Sequence, residues 1–152
     1  MKTLIIVDDE LFFRKSICSM IKKQENYEVI GEANNGLSGA EIVRELKPDM
    51  ALVDISMPVM DGLEMISDMQ ERGRFPKVII LTAYSEFGYA QQAVKLGVSD
   101  YIIKPVAVQE FVQTIRKVQN LYEQEQKRIP DTIGNLENIV SNLLHGVSVS
   151  DG

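Results

Sequence analysis

Cysteine, histidine and tryptophan are nearly missing from this chain: one Cys, one His and no Trp among 152 residues. A single thiol, Cys18, excludes an internal disulfide and fits a reducing compartment. The lone histidine, His145, lies far down the C-terminal segment, away from every acidic cluster, and leaves little room for histidine-based chemistry. No apolar run approaches the roughly 18 residues needed to cross a bilayer. Met1-Lys2 leads straight into a strand-like run, so neither a signal peptide nor a membrane anchor is expected, and the expected location is cytoplasmic. Excess positive charge is also lacking. A net charge of −6 argues against this segment gripping nucleic acid through its phosphates. What remains is the composition of a soluble globular chain, 45% hydrophobic and 25% charged, long enough for one domain and an appendage.

Short apolar runs alternate with helical periodicity along the chain. Leu4-Ile5-Ile6-Val7 is too short for a helix and is followed by acids. Leu11, Phe12, Ile17, Met20 and Ile21 recur at helical spacing over 11–23. Tyr27 to Ala33 predicts a second strand, closed by the turn-forming Asn34-Asn35-Gly36. A helix over 37–46 and Pro48 precede a third strand over 50–53, and another helix runs from Gly62 to about Arg72. Val78 to Leu81 predicts a fourth strand, 86–96 a fourth helix and Tyr101-Ile102-Ile103 a fifth strand, with a long helix starting near Val106. Five strands alternating with five helices predict an α/β fold of three layers, a doubly wound parallel sheet covered by helices on both faces. Right-handed crossovers leave few ways to wind it.

In such sheets ligands sit outside the carboxyl ends of the strands, near the switch in strand order. Asp8 and Asp9 end the first strand, Asp54 the third, Thr82 the fourth and Lys104 the fifth, so all share one edge. Two unit charges 4 Å apart repel by about 4 kcal/mol at an effective dielectric near 20. Lys104 offsets part of that cost, and a divalent cation would offset more. Hard carboxylate oxygens with room for water and phosphate suit Mg²⁺.

The segments IIVDDE at 5–10, VDISMPVMDG at 53–62, LTAYS at 81–85 and YIIKP at 101–105 together resemble the CheY-like receiver domain of two-component response regulators. A lone DD or KP is uninformative, whereas four such segments in order at four strand ends are specific. The resemblance spans about 2–123 and implies the flavodoxin- and CheY-like strand order 2-1-3-4-5. It implies that Asp54 accepts a phosphoryl group from a partner histidine kinase. Asp9, Asp54 and the Ser56 carbonyl would hold Mg²⁺ directly, and Asp8 through water. Lys104 would contact the phosphoryl oxygens, and Thr82 would donate its hydroxyl to them. Tyr101 would rotate inward behind Thr82, remodelling the face of the fourth helix, fifth strand and fifth helix. The Lys104-Pro105 bond is expected to be cis.

The residue types suit that chemistry. A carboxylate can attack phosphorus to give an acyl phosphate, and phosphoryl transfer needs positioning and charge neutralisation more than proton transfer. Pro58 turns the chain after the acid, Asp61 is placed to cap the third helix, and Gly62 is expected to adopt a backbone geometry that a bulkier residue would resist. Ser56 and Tyr84 cannot orient an attacking water, which predicts slow self-dephosphorylation. Cys18 and the phenylalanines of the first helix, Phe12 and Phe13, read as packing residues.

The C-terminal segment falls outside the receiver pattern. Val108, Phe111, Val112, Ile115, Val118, Leu121 and Tyr122 form the stripe of the fifth helix. Pro130 stops it, and Asp131 could cap a further helix bearing Ile133, Leu136, Ile139, Val140, Leu143 and Leu144. The expected division is a receiver at 1–123 and a helical linker at 124–152 that leads to a missing output domain or pairs with another subunit. The alternative is that the apolar stripe folds back on the receiver. LTAYSEFGYAQQAVKLGVSDYIIKP and ENIVSNLLHG resemble AraC-type (YesN-like) DNA-binding response regulators, in which the output would bind DNA and regulate transcription. Two other classes stay open. One is a stand-alone receiver acting by protein contact. The other is an Asp-nucleophile phosphatase, which would need a second acid where Ser56 stands.

Overall fold

The computed structural model describes residues 1–73, 76–83 and 87–124. Tyr84 and the expected helix over 131–145, with His145, lie outside the described residues. The chain divides into two units, Met1–Ile115 and Arg116–Gly152, and the sheet lies wholly in the first. Its elements run β1 (Lys2–Val7), α1 (Leu11–Lys22), β2 (Tyr27–Ala33), α2 (Gly36–Leu46), β3 (Met50–Asp54), α3 (Gly62–Glu71), β4 (Lys77–Ala83), α4 (Phe87–Lys95) and β5 (Asp100–Lys104). A further helix, α5, occupies 108–124, and its first part, to Ile115, belongs to the same unit as the sheet. All strand pairs are parallel, in the order β2-β1-β3-β4-β5 expected from the resemblance.

Strand alternation sorts the core into two layers. Ile5, Val7, Ala51, Val53, Val78 and Ile80 join Ala40 and Val43 of α2, Met65, Ile66 and Met69 of α3, and Ala93 of α4 in one buried cluster. Leu4, Ile6, Leu52, Ile79 and Leu81 point the other way and are equally buried, as are Ile17 and Ile21 of α1 and Phe111 and Ile115 of α5. Burial on both faces explains why these strands read as continuous apolar runs.

The helix starts follow local chemistry. Asn35 caps α2, its side chain accepting from Ser38 N–H at 2.9 Å. Asp61 caps α3 in a reciprocal box: it accepts from Glu64 N–H at 2.9 Å, and Glu64 accepts from Asp61 N–H at 3.2 Å. Between Asp54 and that cap, Met60 N–H donates to the Pro58 carbonyl at 2.7 Å around Val59, whose φ is +68°. These are the features of a γ-turn, so Pro58 starts a turn tighter than a β-turn.

Two expectations are corrected here. Gly62 carries no left-handed φ. Its necessity is steric, since a Cβ there would stand 2.5 Å from the Asp54 carbonyl oxygen and 2.9 Å from Ile55 Cα. The phenylalanines of α1 are not core: Phe12 is 90% exposed and Phe13 half-buried. Helix α1 buries only Ile17 and Ile21, both past its first turn. β4 also runs one residue earlier and two later than its apolar run, so Thr82 and Ala83 remain inside the ladder.

Candidate functional site

Register brings the polar strand ends level. Val7 pairs with Val53, so Asp8 and Asp54 emerge side by side, and Ala83 pairs with Lys104. Asp8 is fully buried, tied by its N–H to the Ala33 carbonyl at 3.0 Å. Its own carbonyl accepts from the Arg14 guanidinium at 2.7 Å, and Oδ1 accepts from Glu10 N–H at 2.8 Å. The Glu10 bond shapes the entry to α1, whose N-cap makes no side-chain cap of its own. Arg14 is held in turn by Glu32 at 3.2 Å.

Lys104 is the charge centre of the edge. Its Nζ donates to Asp8 Oδ2 at 2.8 Å, stands 3.6 Å from Asp54 Oδ1 and 3.8 Å from Glu10 Oε1, and lies 4.1 Å from the centroid of the Phe13 ring. The Lys104-Pro105 peptide is cis, as expected. Burial works against the ammonium, but the hydrogen bond to Asp8 and the charges of Asp54, Asp8 and Glu10 outweigh it and lift its pKa above the ordinary lysine value. Asp54 moves from 3.8 to about 7. Burial is the largest cause, and the Asp8 charge adds to it. Lys104 opposes both, Asp9 adds a smaller push, and the Ser56 N–H lowers the value slightly.

Asp8, Asp54 and Lys104 therefore meet as expected. Asp9 is exposed, and its carboxylate can come within 4.8 Å of those of Asp8 and Glu10. Ser56 is exposed. Thr82 is fully buried, and its hydroxyl donates to the Ala83 carbonyl at 3.0 Å. Tyr101 is half-buried against the core cluster. Glu10 and Phe13 are neighbours of Lys104 that sequence reasoning missed. Glu10 directly follows the acid pair, and that adjacency was the available signal. For Phe13 no periodicity could show a ring turned toward a strand end 91 residues away in sequence. Three carboxylates around one ammonium, with Asp9 beside them, form an oxygen-only donor set that fits a hard divalent cation.

With that geometry established, comparison with known proteins places the chain. Residues 4–116 match the family described as the response regulator receiver domain. The chain belongs to that family. It is similar to the chemotaxis protein CheY of Listeria monocytogenes, 37% identical over 117 residues that cover 77% of this chain and 98% of the relative. A protein-glutamate methylesterase/protein-glutamine glutaminase of Syntrophomonas wolfei is 42% identical over 106 residues, 68% of this chain and 30% of that protein. Among solved structures, the REC domain of AraT, a response regulator from Geobacillus stearothermophilus, superposes with a TM-score of 0.76 at 38% identity, covering 82% of this chain and 98% of that one. The chain thus spans nearly all of one relative and under a third of another. It is the receiver domain of a two-component response regulator, a phosphoacceptor signalling domain of a class that works with histidine kinases and generally uses Mg²⁺ at an acidic pocket. No helix among the described residues is long and apolar enough to cross a membrane.

Proposed function

We propose that Asp54 is the phosphoacceptor of this receiver and that Asp8, Asp9, Thr82 and Lys104 serve its phosphorylation. One observation carries the reading: the carboxylate ending the fully buried β3 is nearly enclosed, yet Lys104 stands 3.6 Å from its oxygen. The Asp54 oxygen attacks the phosphorus of a kinase phosphohistidine. A P–O bond forms, the P–N bond breaks, and the imidazole leaves with its electron pair. Asp8, Asp9, Asp54 and the Ser56 carbonyl would hold Mg²⁺, which when bound would supply positive charge toward the phosphoryl oxygens. Lys104 swings from Asp8 toward the incoming group. The Thr82 hydroxyl turns from the Ala83 carbonyl to a phosphoryl oxygen, and Tyr101 follows it inward. A local charge event thereby biases the α4–β5–α5 face. The domain acts on no substrate but its own phosphoryl group.

That face is also the proposed homodimer surface, supported by exposed Tyr89 and Val94 on α4 and Val108 at the start of α5. Residues 124–152 are proposed to be a linker to a DNA-binding output of the AraC/YesN type, on the sequence resemblance given above. A second reading, a stand-alone receiver acting by protein contact, is favoured by the near-complete coverage of the Listeria relative. A phosphatase acting on other molecules is disfavoured by Ser56, exposed where a second acid would be needed. The test is labelling by a small phosphodonor such as phosphoramidate, with and without Mg²⁺, followed by intact mass. One phosphoryl group on the wild type with Mg²⁺, and none on Asp54→Asn, is expected. Equal label on both proteins overturns the assignment.

A further inference from the structure

We infer that Phe13 is a positioning residue for Lys104, holding its ammonium in the site through the face of the aromatic ring. The inference rests on the proposed role of Lys104 and deepens it. The Nζ is ringed by three carboxylate oxygens at 2.8, 3.6 and 3.8 Å, and the Phe13 centroid is its fourth neighbour at 4.1 Å. That distance is well inside the roughly 6 Å limit for attraction between a cation and a ring quadrupole. The Lys104 side chain is only 16% exposed, so little water competes for the contact.

The ring offers what the carboxylates cannot. A hydrogen bond to Asp8 must break for the ammonium to reach a phosphoryl oxygen, whereas attraction to a ring face varies weakly as the ammonium pivots above it. Phe13 can therefore retain the lysine through the exchange of partners. The ring also walls a groove of about 430 Å³ lined by Glu10, Phe13, Ser16, Met20, Lys104 and Pro105 among others. Without the aromatic wall the lysine stem has open space to retreat into. The position is otherwise hard to justify. Phe13 belongs to neither buried layer, and its helix anchors itself through Ile17 and Ile21 alone.

Two measurements on the full chain test this. The first is the initial rate of labelling by phosphoramidate at saturating Mg²⁺ for wild type, Phe13→Leu and Phe13→Trp. Leucine keeps apolar bulk and removes the quadrupole, and is expected to slow labelling five- to tenfold, while tryptophan restores it. The second is a double-mutant cycle on urea unfolding with Phe13→Leu, Lys104→Met and both together. A five- to tenfold coupling in the unfolding constant is expected. A purely structural Phe13 would destabilise equally with either residue at 104. Leucine labelling at the wild-type rate, or zero coupling, overturns the inference. A wild type that takes no label at Asp54 instead overturns the proposed function, and the unfolding cycle still decides whether the ring holds the lysine.

Discussion

Removing the charge of Asp54 should stabilise the metal-free protein, and the gain should depend on pH in a defined sense. Folding moves the Asp54 pKa from 3.8 to about 7, chiefly by burial. A raised carboxyl pKa means that, between about pH 4 and pH 7, the folded state retains a proton the unfolded chain has released. The contribution of Asp54 to wild-type stability therefore falls as pH rises through that window and levels off above it. Three pKa units at about 1.36 kcal/mol each set a ceiling near 4 kcal/mol. An asparagine side chain in its place has the same shape and no titration, so Asp54→Asn should exceed wild type by about 2–4 kcal/mol at pH 8 and by almost nothing at pH 4. Carboxylates remote from this edge titrate in both proteins and cancel in the difference. Urea unfolding in EDTA at pH 4, 5, 6, 7 and 8 measures it. A pH-independent difference, or an asparagine variant less stable at pH 8, refutes the claim that burial and Asp8 strain this carboxylate.

Three further predictions follow from the same edge. Mg²⁺ should raise the unfolding free energy of the wild type in urea melts by about 2.7 kcal/mol at a hundred times the dissociation constant, and should leave Asp9→Asn and Asp54→Asn nearly unmoved; equal shifts in all three would place the ion elsewhere. Gly62→Ala should cost about 2–3 kcal/mol and slow labelling of Asp54, because the new methyl would press on the Asp54 carbonyl; denaturant melts with labelling kinetics check both. Asp61→Ala removes the side-chain acceptor of the α3 capping box and should cost about 1–2 kcal/mol with little effect on the initial labelling rate.

What sequence reasoning could see here was whatever physics writes locally. Apolar runs too short for helices marked β1, β3, β4 and β5, and buried parallel strands need such runs on both faces, as β3 shows at all five positions. Polar residues closing four of the five runs, Asp8, Asp54, Thr82 and Lys104, marked the edge, because parallel strands bring every carboxyl end to one side. Asp61, directly before the third helix, revealed its cap for the same local reason, whereas the return bond from Glu64 was not foreseen. What stayed hidden depends on distance in three dimensions. Gly62 was expected for its dihedral freedom, but its constraint is a carbonyl oxygen eight residues back in sequence. Phe12 matched the helical stripe of α1, yet its ring stands in solvent while the stripe buries only Ile17 and Ile21 further along. The order of the strands came from family resemblance, since alternation alone permits several windings.

The central claim is that Asp54, among the four carboxylates gathered at this edge, is the one that accepts phosphate. Reducing the phosphorylated protein with borohydride converts an acyl phosphate to the alcohol, and peptide mapping then locates the modified residue. The account predicts homoserine at position 54 alone, dependent on Mg²⁺. Modification at Asp8, Asp9 or Glu10, or an unmodified Asp54 in protein that carries label, would contradict it.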